Sequence, residues 1–461
     1  MANYPTALVL GLAASGEAAA RLLLPEGTKV DIIDRNDGAD LRRRASELQA
    51  LGARVWLGRP DLPPDPYSVC VVSPGVPASS DWVKSMRSRR VPVIAELELG
   101  WSRACRAVAL GQTGTPCRML AVSGSNGKST LVRLCADALT LAGRRVAVAG
   151  NYGTPVSKVV MEDRDLDWLV LEVSSFQLET VDLFRPDVAM LVNVFPNHLD
   201  RHGDMAIYER LKARLFARMR PEDIGVVPEA SAESVARLAA SSNRWVTFGA
   251  SPNADFSYQE ERVADRARSR IVALAGTGFA NEVLGLAAAA AAAALSACGE
   301  SMEALEQAAR VFQSLPHRMR EVAVLRQVRF VDDSKATNLA ALMAGLQMST
   351  APVRLIAGGL PKHESYAAAR ELLAQKSAAV YLIGAAAEVM AAAWRDIIPC
   401  CLSQTLQNAV RLAWSEARPG DTILLSPACA SFDQFRSFEE RGQRFSEIIS
   451  ALKDGEMGES L

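Results

Sequence analysis

The chain has 461 residues, 51 Lys and Arg against 52 Asp and Glu, a net charge of −1 and 49% hydrophobic residues. That length predicts about two to four domains, the apolar content excludes a disordered chain, and the balanced charge excludes an extended nucleic-acid surface. The eight cysteines form no C-x-x-C pair and predict reduced thiols in a cytosol, and the start of the chain lacks the basic region and cleavage site of a secretory signal.

Apolar strand-like runs alternate with helical patterns almost throughout, which predicts an α/β fold with mainly parallel sheets. In the first block, strands are expected at 7–11, 29–34 and 68–73. Gly11-Leu12-Ala13-Ala14-Ser15-Gly16 follows the first of them, and Asp34 ends the second. The pattern is close to a dinucleotide fingerprint, but Ala13 replaces the middle glycine that lets a pyrophosphate approach the backbone. It suits another nucleotide at a strand-end crevice, or simply a tight turn. The block ends near Cys105, and 106–118, with Gly111, Gly114 and Pro116, reads as a linker.

A buried strand at 119–122 then leads into Gly124-Ser125-Asn126-Gly127-Lys128-Ser129-Thr130. Leu131, Leu134, Cys135 and Ala138 follow at helical spacing until Gly143 stops the helix. Strand, glycine loop, Lys-Ser-Thr and helix is the layout of a phosphate cradle. Loop N–H groups and the helix N-terminus face the anion, Lys128 adds a point charge, and a hydroxyl can reach Mg²⁺. Val122 stands where the commonest form of this motif has its first glycine. The plain alternative is a glycine turn before a helix. The strand 168–173 carries Glu172 at its end, where a nucleotide-binding sheet places a magnesium-bound carboxylate.

A strand at 189–193 opens into Pro196-Asn197-His198-Leu199-Asp200-Arg201-His202. All four histidines fall in such polar, loop-like segments, and His198 is a candidate metal ligand or substrate-orienting group. A helix is expected at 207–219, with Leu211, Leu215 and Met219 on one face. Lys212 beside that face would ordinarily reach out to solvent. A β-like stretch at 245–274 precedes an alanine-rich helix over 283–299. That helix is too short and too weakly apolar to cross a bilayer.

The third block begins with Leu315-Pro316-His317-Arg318. Strands are expected at 329–332, 354–358, 379–384 and 422–426. Asp332-Asp333-Ser334-Lys335-Ala336-Thr337-Asn338 ends the first, and Arg318 and Lys335 suit phosphate oxygens. Gly358-Gly359 and Lys362 form a second glycine loop. Ser426-Pro427-Ala428-Cys429-Ala430-Ser431 opens a helix N-terminus that suits a carboxylate.

Taken together, SGSNGKST (123–130), Gly150-Asn151-Tyr152-Gly153, EVSSFQLET (172–180), NHLDRH (197–202), LPHR (315–318), DDSKATN (332–338) and LLSPACASFDQF (424–435) resemble the Mur ligase family over the full length. They are nearest to its branch that adds D-glutamate to UDP-N-acetylmuramoyl-L-alanine in peptidoglycan precursor synthesis. The resemblance implies three domains: a Rossmann-like UDP-substrate domain (1–105), a central ATPase domain of the phosphate-loop type (119–314) and a Rossmann-like amino-acid domain (315–461). It implies an ATP-dependent ligase, cytoplasmic and monomeric, with no nucleic-acid or membrane partner.

By motif, Ala14, Ser15, Asp34, Arg35, Ser73, Pro74 and Gly75 would hold the UDP part, and Asn151, Ser174, Gln177 and His198 the muramoyl-alanine end. Gly124 to Thr130, Asn281, Arg318 and Asp333 would bind ATP, with Lys128 and Lys335 acting on its phosphates. Thr130 and Glu172 would hold one Mg²⁺, and His198 with a carbamylated Lys212 a second. Thr337, Lys362, Ser431 and Phe438 would hold D-glutamate. The family's G-x-H-N-x-x-N stretch departs at Ala280 and Leu284, which replaces polar adenine contacts with apolar ones. The rival expectations are a folylpolyglutamate synthetase-like ligase and a non-catalytic nucleotide-binding descendant.

Overall fold

The computed structural model describes residues 4–109, 117–162, 165–267, 270–362, 365–453 and 455. Most of the expected linker, 110–116, lies outside them. The described residues form three sheets.

The first sheet comprises β1 (Thr6–Leu10), β2 (Lys29–Asp34), β3 (Arg54–Leu57), β4 (Val69–Val72) and β5 (Val93–Ala95). Its order is β3-β2-β1-β4-β5, and every pair is parallel. β1 and β4 are covered on both faces, which explains their unbroken apolar runs. Strand order reverses between β1 and β4, and the crevice beyond their carboxyl ends is the ligand position of such sheets. The loop at Gly11 and the turn at Ser73 lie there. The helix after β5 runs Glu96–Ala109, past the expected boundary at Cys105.

The second sheet comprises β6 (Arg118–Ser123), β7 (Val146–Gly150), β8 (Trp168–Glu172), β9 (Val188–Leu191), β10 (Ile224–Pro228), β11 (Arg244–Gly249), β12 (Phe256–Gln259), β13 (Arg262–Asp265) and β14 (Arg270–Ala273). Its order is β14-β13-β12-β11-β10-β9-β6-β8-β7. The strands from β7 to β12 are parallel, and β13 and β14 extend the sheet antiparallel. The expected stretch at 245–274 is therefore four strands. The helix Lys128–Leu141 follows β6 and buries Leu131, Leu134, Cys135 and Ala138. The alanine-rich helix Glu282–Cys298 buries Ala288 to Ala294, where methyl side chains allow close packing on all sides. Among the described residues no helix is long and apolar enough to cross a membrane.

The third sheet comprises β15 (Arg320–Leu325), β16 (Val328–Asp332), β17 (Val353–Gly358), β18 (Ser377–Ile383), β19 (Cys400–Gln404) and β20 (Thr422–Leu425). Its order is β15-β16-β20-β17-β18-β19, parallel except for β15. The chain divides into two compact units. One contains Met1–Val194, Arg201–Ala280 and Leu284–Val311. The other contains Phe195–Asp200, Asn281–Val283 and Phe312–Leu461.

Candidate active site

The phosphate loop joins β6 to the helix Lys128–Leu141. Gly127 is the helix N-cap with φ 82°, a left-handed conformation that glycine adopts without cost. At Gly124 (φ 155°) an added Cβ would lie 3.0 Å from Val192 Cβ. Asn193, just beyond β9, pins the loop: its Oδ1 accepts from Ser125 N at 3.1 Å and Asn126 N at 2.9 Å. Lys128 Nζ donates to the carbonyls of Gly124 (2.8 Å) and Ser125 (3.0 Å). The loop is thus a preformed concave ring of backbone donors at a helix N-terminus, with a lysine folded along it. Asn193 lay in a polar run of the sequence, but its role as anchor was not legible there.

Glu172 ends β8, paired in register with Val122 of β6. It is buried, and its two carboxylate oxygens are separately engaged. Ser129 Oγ donates to Oε2 at 2.5 Å and Asn151 Nδ2 donates to Oε1 at 2.6 Å. The hydroxyl on this carboxylate is therefore that of Ser129, one residue before the expected Thr130. The first turn of the helix directs Ser129 toward β8. Asn151, expected at the substrate, also lends its amide to Glu172.

The helix expected at 207–219 is Met205–Ala213, and the chain continues in tighter turns, with Leu215 N, Phe216 N and Ala217 N each bonded three residues back. Lys212 does not reach solvent. It is 1% exposed, its Nζ 4.5 Å from the centroid of the Tyr208 ring. Burial drives its pKa well below that of a free lysine, the charge of Lys128 adds to the shift, and Glu172 opposes it. Tyr208 Oη lies 3.1 Å from Ser125 Oγ of the phosphate loop. His202 stacks on Tyr208 at 5.3 Å and meets Ser175 Oγ through Nε2 at 3.0 Å. Contrary to the loop-like reading of all four histidines, His202 is buried in the helical turn Leu199–His202. Ser174 and Gln177 form a reciprocal capping box on the turn Ser175–Leu178.

In the first sheet, a Cβ at Gly16 would fall 1.9 Å from the Gly11 carbonyl oxygen, so the helix carrying Ala14 and Ser15 approaches β1 as only glycine permits. Ser73 Oγ donates to Gly11 O at 2.9 Å. Asp34 supports the loop rather than standing free: Oδ2 accepts from Leu12 N at 2.8 Å and Oδ1 from Asn36 N at 2.9 Å. The Arg35 guanidinium sits 4.9 Å over the Trp82 ring. An added Cβ at Gly75, next to Pro74, would meet nothing within 4 Å.

His198, Asn281, Arg318, Asp333, Lys335, Thr337, Lys362, Ser431 and Phe438 belong to the second unit, and Leu284 belongs to the first. His198 has a left-handed backbone (φ 56°). Asn281 immediately precedes the alanine-rich helix, and Leu284 lies in its first turn. Asp333 is buried, accepts from Ser426 Oγ at 2.8 Å and from Met319 N at 3.3 Å, and burial pushes its pKa up to about 7. Arg318 lies one residue before Met319. Lys335 Nζ is 3.6 Å from the centroid of the Phe438 ring. Thr337 N donates to Lys335 O at 2.9 Å, and Lys362 Nζ donates to Asn197 Oδ1 at 3.0 Å. Ser431 is buried and its carbonyl accepts from Gln434 N and Phe435 N. Arg441, 1% exposed, ties two of these loops together through Ser334 Oγ (2.9 Å), Ser334 O (2.8 Å) and Cys429 O (3.1 Å). It was not singled out in the sequence.

The middle domain model of the Mur ligases matches residues 122–292, and the glutamate ligase domain model of Mur ligases matches 317–429. A UDP-N-acetylmuramoylalanine–D-glutamate ligase of Acidobacterium capsulatum is 38% identical over 462 residues, spanning 96% of each chain. The chain belongs to the Mur ligase family. A Koribacter versatilis relative of the same name is 35% identical over 97% of this chain and 98% of its own. Among solved structures, the Mur ligase MurF from Acinetobacter baumannii superposes with a TM-score of 0.62 at 16% identity, covering 95% of this chain and 93% of its own. MurF from Thermotoga maritima, solved in complex with ADP, gives 0.62 at 16% identity, with 93% and 96% covered. A Yersinia pestis folylpolyglutamate synthase covers 82% of this chain with a TM-score of 0.55 at 20% identity. These likenesses establish the Mur ligase fold.

Proposed function

We propose that the protein is an ATP-dependent ligase that joins D-glutamate to UDP-N-acetylmuramoyl-L-alanine through an acyl phosphate, acting as a cytoplasmic monomer. The observation that carries this reading is the phosphate loop with Ser129 and Lys128 beside the engaged carboxylate of Glu172 and the buried Lys212. On this reading the chain has three domains, 1–105, 119–314 and 315–461. They hold the UDP moiety, ATP and the amino acid respectively.

The Glu172 carboxylate and the Ser129 hydroxyl beside it fit magnesium, a hard cation that takes carboxylate, hydroxyl and phosphate oxygens. Ser129 and Glu172 would hold one ion, with Thr130 adjacent. His198 and a carbamylated Lys212 would hold a second. Bound there, magnesium would neutralise phosphate charge. The loop amides from Gly124 to Thr130 orient the triphosphate, and Lys128 compensates its charge. Arg318, Asp333 and Lys335 would act on ATP, with Asn281 at the base. The substrate carboxylate attacks the γ-phosphorus and ADP leaves. The amine of D-glutamate, held by Thr337, Lys362, Ser431 and Phe438, then attacks the acyl carbon. A C–N bond forms, the C–O bond to phosphate breaks, and inorganic phosphate departs. Ala14, Ser15, Asp34, Arg35 and the Ser73-Pro74-Gly75 turn bind UDP, while Asn151, Ser174, Gln177 and His198 face the muramoyl-alanine end.

The test is phosphate release by the purified chain with UDP-N-acetylmuramoyl-L-alanine, ATP and a panel of D- and L-amino acids. Release that requires both the nucleotide sugar and D-glutamate supports the reading. Release with a folate in place of the nucleotide sugar, or none with any combination, overturns it.

A further inference from the structure

Two charged residues of the family motifs have no role in this reading. Arg201 is the penultimate residue of the Asn197-to-His202 run, and Glu179 is the penultimate residue of the 172–180 run. The structure joins them by a two-pronged ion pair, Arg201 Nε to Glu179 Oε1 at 2.7 Å and Nη2 to Oε2 at 2.8 Å. Their side chains are 14% and 8% exposed, and the guanidinium lies 4.0 Å over the Phe176 ring. A pair so nearly desolvated adds little net stability, because the Coulombic gain is offset by the loss of hydration. Both partners also bond one segment. Arg201 Nη1 donates to Pro74 O at 2.9 Å, Arg201 Nη2 to Val76 O at 3.4 Å, and Glu179 Oε2 accepts from Ala78 N at 2.9 Å. That segment is the turn beyond β4, closed by Val76 N donating to Ser73 O.

From the pair, contacts continue to the phosphate loop. Glu179 Oε1 lies 3.5 Å from His202 Nδ1, His202 stacks on Tyr208, and Tyr208 Oη meets Ser125 Oγ. All of these residues belong to the first unit. We propose that Arg201 and Glu179 are positioning residues that fix the Ser73–Ala78 turn of the first sheet relative to the phosphate loop of the second, and so set where the nucleotide end of the substrate sits. The inference rests on the functional reading above for the identity of that substrate. It differs from a stabilising ion pair in that both partners spend their outer bonds on backbone atoms of a single turn.

Arg201→Met, Arg201→Lys and Glu179→Gln in the full chain test it. Arg201→Met should raise the KM for UDP-N-acetylmuramoyl-L-alanine about tenfold or more, with the KM for ATP changed by less than about twofold. Arg201→Lys should recover part of the loss, since an ammonium can still donate to one carbonyl but cannot bridge two. Glu179→Gln, which keeps an acceptor for Ala78 N, should fall between them. UDP alone, measured by calorimetry, should bind the Met variant more weakly than the parent. Equal increases in both KM values, or a lowered melting temperature with unchanged KM values, would show a merely structural pair and overturn the proposal. Should the parent bind UDP without ligating, the functional reading fails and the calorimetric comparison still decides this one. A parent that neither ligates nor binds UDP sinks both.

Discussion

Ser129 Oγ donates to Glu172 Oε2 at 2.5 Å, linking the first turn of the helix after the phosphate loop to the end of β8. The bond is short because the acceptor is a carboxylate, and it sets two oxygen ligands side by side. Ser129→Ala should therefore weaken the apparent affinity for Mg²⁺ by about tenfold or more and lower kcat. Thr130→Ala, one position on, should change both by less than about threefold. Steady-state rates across a magnesium titration measure the difference. Equal sensitivity at the two positions would reassign the ligand.

Removal of Lys128 should abolish turnover without unfolding the chain. Its ammonium donates to the loop carbonyls of Gly124 and Ser125. In Lys128→Ala the rate should fall by about a thousandfold or more, with the circular dichroism melt shifted only slightly. A folded variant with near-normal activity would remove the phosphate loop from the mechanism.

Lys212 is expected to carry a carbamate. Burial favours its neutral amine, the form that adds CO₂, and the Lys128 charge pushes the same way. The product is an anionic oxygen ligand on an otherwise cationic side chain. Lys212→Ala should be nearly inactive and partly restored by acetate or propionate. In ¹³C-bicarbonate the parent should show a carbamate carbon signal that the variant lacks. An unmodified lysine in an active enzyme would refute the assignment.

Much of this arrangement was legible because it depends on local chemistry. The glycine spacing before Lys128, the apolar run ending at Glu172 and the turn after β1 at Gly11 are each fixed within one strand–loop–helix unit. What was missed depends on neighbours distant in sequence. Asn193 anchors the phosphate loop from across β6 and β9, and no pattern marks that. Ser129 and Thr130 are chemically equivalent in the sequence, and only the helix phase against β8 separates them. Lys212 lies beside an apolar face, where a lysine usually escapes to water, and the end of the helix at Ala213 was not signalled by glycine or proline. β15 was missed because its hairpin with β16 turns at Arg326 and Gln327, both left-handed (φ 48° and 63°). Such turns normally announce themselves through Asn or Gly.

Glu96 should make stability fall as pH rises toward neutrality. It begins the helix after β5, is buried, and accepts from Ser157 N at 2.6 Å. Burial raises its pKa to about 7 from 4.5, against the pull of the Ser157 bonds. The folded state therefore holds a proton that the unfolded chain has released between those two values. The unfolded state binds fewer protons there, so the stabilisation is complete below the unfolded pKa and is lost through pH 7. Glu96→Gln keeps an acceptor for Ser157 N and should flatten that dependence, gaining up to about 3 kcal/mol over the parent at pH 8 and nothing at pH 4. Melting curves of both proteins across that range measure it. Parallel pH profiles would show that Glu96 does not titrate there.

Discrimination among nucleoside triphosphates should be looser than in relatives that keep the second asparagine of the G-x-H-N-x-x-N stretch. Leu284 offers no side-chain hydrogen bond, and a site that makes no hydrogen bond to a group rejects analogues lacking it only weakly. Lys128 and the loop amides address phosphates that ATP and GTP share, so binding itself should survive with either nucleotide. A modest preference for ATP is expected, with Asn281 and backbone groups supplying it. The ratio of kcat/KM for ATP over GTP should be well below a thousandfold or so, and Leu284→Asn should raise it about tenfold, close to what one added hydrogen bond contributes. Asn281→Ala should lower it. A parent ratio of roughly a thousandfold or more, unchanged by Leu284→Asn, would show that another group reads adenine and that the leucine has no part in the selection.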